Sequence, residues 1–442
     1  MQKFITGYVA RSIGVLCCFS FLFIFAVINL SMPPKVCAAE PELLAQGAIL
    51  VDSATGQILY QKNMNDKLYP ASTTKILTAL LALEYAEQSG HSLSEIVTVS
   101  RRATEIGGSR VGLQMGEQLS LEDLLYIMLL SSSNDASIAI AEHVSGTVEQ
   151  FAFLMNQRAE ELGAHSSNFV NPHGMPDENH YITAYDLSVI SRKAMENSTF
   201  RKIVNTINYQ VERKKNFTGE LLKKVEKLEE RFGPIQENFY NHNRLIGNGR
   251  YGYSGAIGIK TGYTVEAGQC MSACSIREDR ELIAVLLNSE SNDLWIDAAT
   301  LLDYGYNNFT SVELLESGEI ITQALVRGGE GQVELATAKS FNYNVLIGER
   351  QPEVAFSVEL MEDISIPVNK SDVLGQVVLT AEGQEIGRVS LEAINSVYGI
   401  SSGTNRWWLW PALTLGFLIL LARIVNISAR KRRIKRRLRY GR

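Results

Sequence analysis

The chain has 442 residues, enough for two or three domains, and its 45% hydrophobic and 20% charged residues exclude general disorder. The net charge of -6 conceals a segregation, because residues 430–442 carry nine Lys or Arg and no acid. With Lys3, Arg11 and Lys35 also set aside, residues 40–429 hold 30 basic and 48 acidic side chains, a balance that excludes nucleic acid as a partner.

In chain order, Lys3 and Arg11 precede an apolar run from Ile13 to Ile28, then Pro33-Pro34-Lys35 and Val36-Cys37-Ala38-Ala39. This order predicts an export signal over residues 1–39. The run is longer than a usual signal core, so an uncleaved anchor stays open. Cys17, Cys18 and Cys37 lie in this leader. Cys270 and Cys274 would stand about 13 Å apart in one strand. That exceeds disulfide reach, so both read as buried thiols.

Residues 46–62 read as a hairpin, Gly47–Asp52 and Gln57–Tyr60 around a Ser53–Gly56 turn. Pro70-Ala71-Ser72 opens a helix whose Ile76, Leu77, Leu80 and Leu81 recur at helical spacing. Leu121–Leu130 and Ala136–His143 predict two more helices. Ser131–Asp135 interrupts them with residues that favour caps and turns between apolar faces. Residues 214–232 predict an exposed charged helix, a solvated insertion. Gly258–Gly262, Gln269–Ser275 and Glu281–Leu287 read as adjacent strands, and Ser291–Tyr306 as a closing helix. Strands at both ends with helices between predict an α/β (α+β) domain over 40–310. From Gly318 the pattern shortens to alternating runs such as Val333–Leu335, Val354–Leu360, Val377–Leu379 and Gly387–Leu391. A small all-β sandwich over 311–396 is expected, with a linker at 397–406.

Trp407-Trp408-Leu409-Trp410 then opens a 19-residue apolar segment ending at Val425. Its length suits a transmembrane helix over 407–425, and Leu413–Leu421 has no polar face. The basic tail, 426–442, belongs in the cytoplasm by the positive-inside rule, with all that precedes Trp407 outside.

Three short motifs carry chemistry. Ser72-Thr73-Thr74-Lys75 is an S-x-x-K, in which one helical turn brings the amine to the hydroxyl. Ser132-Ser133-Asn134 is an S-x-N, and Lys260-Thr261-Gly262 a K-T-G. Alone the first two mean little, since S-x-x-K recurs at Ser428–Lys431 and S-x-N at Ser166–Asn168. Their order, with a helix start, an interhelical loop and a strand as settings, predicts a serine acyl-transfer site. The bland alternatives are a helix cap at Ser72, a loop cap at Ser132 and a strand-edge turn at Lys260.

Pro70–Lys75, Ser133-Asn134-Asp135-Ala136, Gly258–Thr264 and the run Asn171–Leu187 resemble the D-alanyl-D-alanine carboxypeptidases, the low-molecular-mass penicillin-binding proteins. The resemblance covers residues 44 to about 395 and implies a penicillin-binding/β-lactamase-like catalytic domain followed by a β-rich one. The implied substrate is the peptidoglycan stem peptide ending in D-Ala-D-Ala, with β-lactam antibiotics as acylating inhibitors. The chain departs from the pattern at Ser133, where Gly is common, in the 214–232 insertion, and in a spanning C-terminus where many members carry an amphipathic helix.

In this chemistry Ser72 attacks the carbonyl and a neutral Lys75 takes its proton. Lys260 and burial both favour neutral Lys75. Ser132 relays a proton to the leaving amine, Asn134 holds the substrate amide, and Lys260 with Thr261 and Gly262 receives the terminal carboxylate. The backbone N–H groups of Ser72 and, by resemblance, Tyr263 form the oxyanion hole. No metal or other cofactor is required. His173, in an Asn-Pro-His-Gly turn, is read as structural. Two rivals remain, a β-lactamase and an inactive wall-binding homologue. The first lacks its expected loop Glu here, and the second would have no reason to keep the motif residues intact.

Overall fold

The computed structural model describes residues 39–290, 293–329, 331–398 and 409–439. The expected leader, but for Ala39, lies outside the described residues, with Cys17, Cys18 and Cys37; so do Ser291, Trp407 and Trp408. The chain divides into two units, one reaching to Leu314 and taking in Asn342–Glu353, the other comprising Leu315–Phe341 and the chain from Val354 onward.

The first unit opens with β1 (Gly47–Asp52) and β2 (Ile58–Lys62), the expected hairpin, followed by a 3-10 turn (Ala71–Thr74) and α1 (Lys75–Glu87). Next come β3 (Ile96–Thr98), α2 (Arg101–Glu105), β4 (Gln118–Ser120), α3 (Leu121–Ser131), α4 (Asn134–Ser145) and α5 (Val148–Glu161). Then follow α6 (Ala184–Glu196), α7 (Ser198–Val204), β5 (Asn208–Gln210), α8 (Gly219–Phe232) and β6 (Asn238–Tyr240). β7 (Ala256–Thr264), β8 (Gly268–Arg277), β9 (Arg280–Ser289) and α9 (Leu294–Asn308) complete it.

The main sheet is antiparallel, in the order β2-β1-β9-β8-β7, so the first and last segments of the unit meet in its middle. Its inner strands are buried on both faces, as their near-continuous apolar runs require. Ile49, Val51, Ile283 and Val285 face the core built by α1 and the helices from α3 to α7. Leu50, Leu282, Ala284 and Leu286 face the opposite core, which α9 closes. Side chains alternate between faces with period 2, so Cys270 and Cys274, four residues apart on β8, share the α1 face. Both are free and buried thiols, and burial pushes Cys270 up to about 12.

Two predicted elements differ in detail. The expected insertion, 214–232, is α-helical only from Gly219, and Arg213, which immediately precedes it in a 3-10 turn (Arg213–Asn216), is fully buried. The closing helix is Leu294–Asn308, and its expected start, Ser291, lies outside the described residues.

Beyond α9, β10 (Phe309–Leu315) pairs with β13 (Phe341–Leu346), which rejoins the first unit. The second unit is built on β11 (Ile320–Leu325), β12 (Gln332–Thr337), β14 (Val354–Leu360), β15 (Val373–Ala381) and β16 (Gln384–Ala393). They form an antiparallel sheet in the order β11-β12-β16-β15-β14. Val333, Leu335, Val377, Leu379, Val389 and Leu391 are buried at alternate positions along its strands. The last helix, α10 (Leu409–Arg439), is continuous into the basic tail. Its stretch Leu413–Arg432 is, among the described residues, the one helical segment long and apolar enough to cross a membrane; 20 residues span about 30 Å.

Candidate active site

The sequence places Ser72 at a helix start; the structure puts it one step earlier, in the 3-10 turn. Side chains three residues apart eclipse in such a turn. Lys75 Nζ therefore lies 2.9 Å from Ser72 Oγ, to which it donates a hydrogen bond. Ser72 is half-buried, whereas Lys75 is wholly enclosed. Lys75 also donates to Asn134 Oδ1 at 2.8 Å and to the His173 carbonyl at 2.8 Å, which uses the three donors of an ammonium. Ser132 is not among its partners. Burial holds Lys75 well below the usual lysine range, and the charge of Lys260 lowers it further against the opposing pull of Asp135.

The turn itself is fixed by neighbours. Ala71 has φ +45, a region L-residues seldom occupy, directly before the nucleophile candidate. Thr73 and Thr74 bond back to the Pro70 and Ala71 carbonyls. Strand β7 crosses so close that a Cβ at Gly262 would meet the Ser72 amide nitrogen at 2.7 Å, so this position of the K-T-G needs glycine. Gly174 presses on the same turn: a Cβ there would stand 1.7 Å from the Ala71 carbonyl oxygen, and its φ of +85 suits glycine.

Asn134 begins α4, and the interruption predicted at Ser131–Asp135 is a sharp break, with Ser132 in the left-handed region at φ +58. Asn134 Nδ2 donates to the Gly107 carbonyl at 2.8 Å and its amide to the Ser109 carbonyl at 2.7 Å. Ser133, where the resemblance leads one to expect glycine, turns its hydroxyl to the Asp135 carboxylate. Lys260, on β7, is buried and donates to the Thr261 carbonyl at 2.9 Å. Burial pulls its ammonium down to about 7. Tyr263 follows Gly262 on the same strand with its side chain exposed.

His173 contributes its backbone carbonyl to Lys75, not its ring to Ser72. The ring Nδ1 accepts the Met175 amide at 3.2 Å, and burial followed by the Lys75 charge lowers it to about 3, so it is neutral. His180 is similarly neutral, pulled to about 4 by burial, with Nε2 3.0 Å from Thr74 Oγ1 and Nδ1 accepting the Val170 amide. The run Asn171–Leu187 thus packs against the face of α1 that carries Lys75. Thr78 adds a bond to the Pro172 carbonyl at 2.7 Å.

The geometry brings Ser72, Lys75, Asn134 and Gly262 together by direct contact; Lys260 lies on the strand that carries Gly262, and its charge lowers Lys75. Sequence reasoning missed the loop carbonyls of Gly107 and Ser109, the His173 carbonyl, and Asp135. Gly107-Gly108-Ser109 is legible as a turn. No local pattern says that it grips Asn134, because that contact spans 27 residues.

Comparison with known proteins identifies the family. Residues 35–291 match the D-alanyl-D-alanine carboxypeptidase family model, and residues 309–398 match the C-terminal domain of penicillin-binding protein 5. The chain is 30% identical over 351 residues to the D-alanyl-D-alanine carboxypeptidase DacF of Bacillus subtilis, covering 79% of this chain and 85% of that one. It is 28% identical to DacA of Haemophilus influenzae, over 85% of this chain and 90% of the relative. Among solved structures, penicillin-binding protein 5 of Haemophilus influenzae superposes with a TM-score of 0.62 at 26% identity, covering 82% of this chain and 99% of that one. With the S-x-x-K, S-x-N and K-T-G motifs on one unit and the β-rich unit behind it, the chain belongs to the D-alanyl-D-alanine carboxypeptidases, serine peptidases of the low-molecular-mass penicillin-binding group.

Proposed function

We propose that this serine-type D-Ala-D-Ala carboxypeptidase works through Ser72, with Lys75 as its base. The observation that carries the assignment is the 2.9 Å bond between Ser72 Oγ and a buried Lys75 amine whose protonated form is disfavoured. Neutral Lys75 accepts the hydroxyl proton as Ser72 Oγ bonds to the carbonyl carbon of the penultimate D-alanine. The carbonyl oxygen takes the negative charge, facing the backbone N–H groups of Ser72 and Tyr263. Collapse breaks the C–N bond, and the D-alanine amine leaves with a proton relayed through Ser132. Asn134 holds the substrate amide. Lys260, Thr261 and Gly262 bind the terminal carboxylate, and that anion raises the proton affinity of Lys260. Water then attacks the ester and restores Ser72. A β-lactam enters by the same acylation and leaves a persistent ester.

The apolar helix with its basic extension favours a membrane anchor whose tail is cytoplasmic and whose catalytic unit, residues 40–310, faces the cell wall. One experiment tests both readings: a membrane-impermeant fluorescent penicillin applied to intact, wall-stripped cells. A stable label on the wild type and none on Ser72→Ala, which should retain its fold, is the expected result. Labelling only after lysis would reverse the topology. A label that turns over rapidly indicates a β-lactamase. A folded wild type with no label, or an equally labelled Ser72→Ala, would remove Ser72 as nucleophile.

A further inference from the structure

Arg213 and Glu117 form an ion pair in which neither side chain has any exposed surface. Arg213 Nε and Nη2 donate to the two Glu117 carboxylate oxygens at 2.7 and 2.9 Å, a bidentate geometry. The remaining donors reach carbonyls: Nη1 to Val111 at 3.2 Å and Gln236 at 3.0 Å, Nη2 to Gly112 at 3.1 Å. The opposite edge of the same strip is held from the active site, since the Val111 and Leu113 amides donate to the Asp135 carboxylate at 3.4 and 2.9 Å. Residues 111–113 are thus gripped on their carbonyl side by Arg213 and on their amide side by Asp135. Asp135 follows Asn134 directly, and residues 107–109 of the same loop hold Asn134 by its amide and side chain.

Burying two charges is expensive and gives little net stability, so this pair needs another reason to be there. Arg213 lies at the root of the charged appendage, in the segment joining β5 to α8. The root is itself seated on α3, through Tyr209 stacked on Tyr126 at 3.8 Å and its hydroxyl bonded to Asp123 at 2.9 Å. We propose that Arg213 and Glu117 are positioning residues for acyl transfer. They clamp loop 107–117 so that it holds Asn134 against Lys75 and the substrate amide, which makes the base of the appendage part of the catalytic scaffold. The inference rests on the assignment of Ser72, Lys75 and Asn134 given above.

Two variants test it. Arg213→Met with Glu117→Leu leaves no buried charge unpaired. Arg213→Lys keeps the charge opposite Glu117 but cannot also reach three carbonyls. In both, hydrogen exchange at the Val111 and Leu113 amides should quicken, and penicillin acylation should slow by about 10- to 100-fold. The acid limb of the acylation–pH profile should also move down, because Lys75 loses the Asn134 oxygen that favours its ammonium form. General loosening would instead lower the rate alike at every pH. Acylation within about twofold of wild type by either folded variant would overturn the proposal. So would an unshifted acid limb in Arg213→Lys, the milder change, should the double variant not fold. A wild type that penicillin does not label would sink the acyl-serine reading instead, while amide exchange would still decide whether the clamp exists.

Discussion

The two units spend their interiors differently. The first buries Lys75, Lys260, Arg213, Glu117, Asn134, Asp135, His173 and His180, whereas among the described residues of the second unit Thr337 is the only polar side chain buried. Thr337 accepts the Glu319 amide at 3.0 Å and donates to the Glu316 carbonyl, so it closes a turn. A buried polar group costs free energy unless every partner is in place. The second unit avoids that cost with Val and Leu on alternate strand positions. The first accepts it around one serine, where a buried, prearranged polar interior lowers the proton affinity of an amine. Stability in the first unit therefore depends on pH and on hydrogen-bond completeness, and in the second on packing.

The contrast can be pressed hardest in the second unit. Leu391→Ala there should cost about 3 kcal/mol of that unit's stability, as a truncation in a closed apolar core does. Penicillin labelling of the first unit should be unchanged at temperatures where both remain folded. Differential scanning calorimetry with labelling of the same sample checks this, and a parallel loss of labelling would show that the two interiors are not independent.

An intermediate effect is expected at Gly262→Ala. The added methyl lies 2.7 Å from the Ser72 amide nitrogen, so β7 or the 3-10 turn must shift. Acylation should fall by about 10- to 100-fold with the melting temperature changed little, because misplacement by a fraction of an ångström affects the chemistry more than the packing. Stopped-flow acylation measures the rate; wild-type kinetics in the variant would mean that the turn has room to spare.

The smallest effect is a slope. Burial holds Lys260 at about 7 in the fold, well below the ordinary lysine value, and lowers Lys75 in the same direction. Between pH 7 and 9 the unfolded chain then binds more protons than the folded one, so the stability of the first unit should rise with pH. The contribution is about 1 kcal/mol per pH unit for Lys260. Above pH 9 the buried thiols, raised by burial, act in the opposite sense. Urea titrations at pH 7 and 9 should show the slope in wild type and a smaller one in Lys260→Met. A flat profile in the wild type would contradict the depressed ammonium.

Much of this architecture is readable along the chain because it is local. Short apolar-rich runs of strand length specify β1, β8 and β9, helical spacing specifies α1 and α3, and Ser131–Asp135 breaks a helix by its own side chains. The apolar length of α10 and the positive charge of its tail follow from composition alone. The order of S-x-x-K, S-x-N and K-T-G announces acyl transfer without any coordinates. Tertiary structure decided what distant segments do to each other. The strain at Ala71, the glycine requirements at 174 and 262, the His173 carbonyl on Lys75, and the burial of Arg213 all arise from chain segments packed against one another. Arg213 stands directly before the charged stretch 214–232, which reads as solvated. Its guanidinium is buried because Glu117 and three carbonyls, supplied by segments 23 to 102 residues away, complete its hydrogen bonds. Local pattern reports what a residue prefers, and only the fold supplies the partners that make burying a charge or lowering an amine's proton affinity possible.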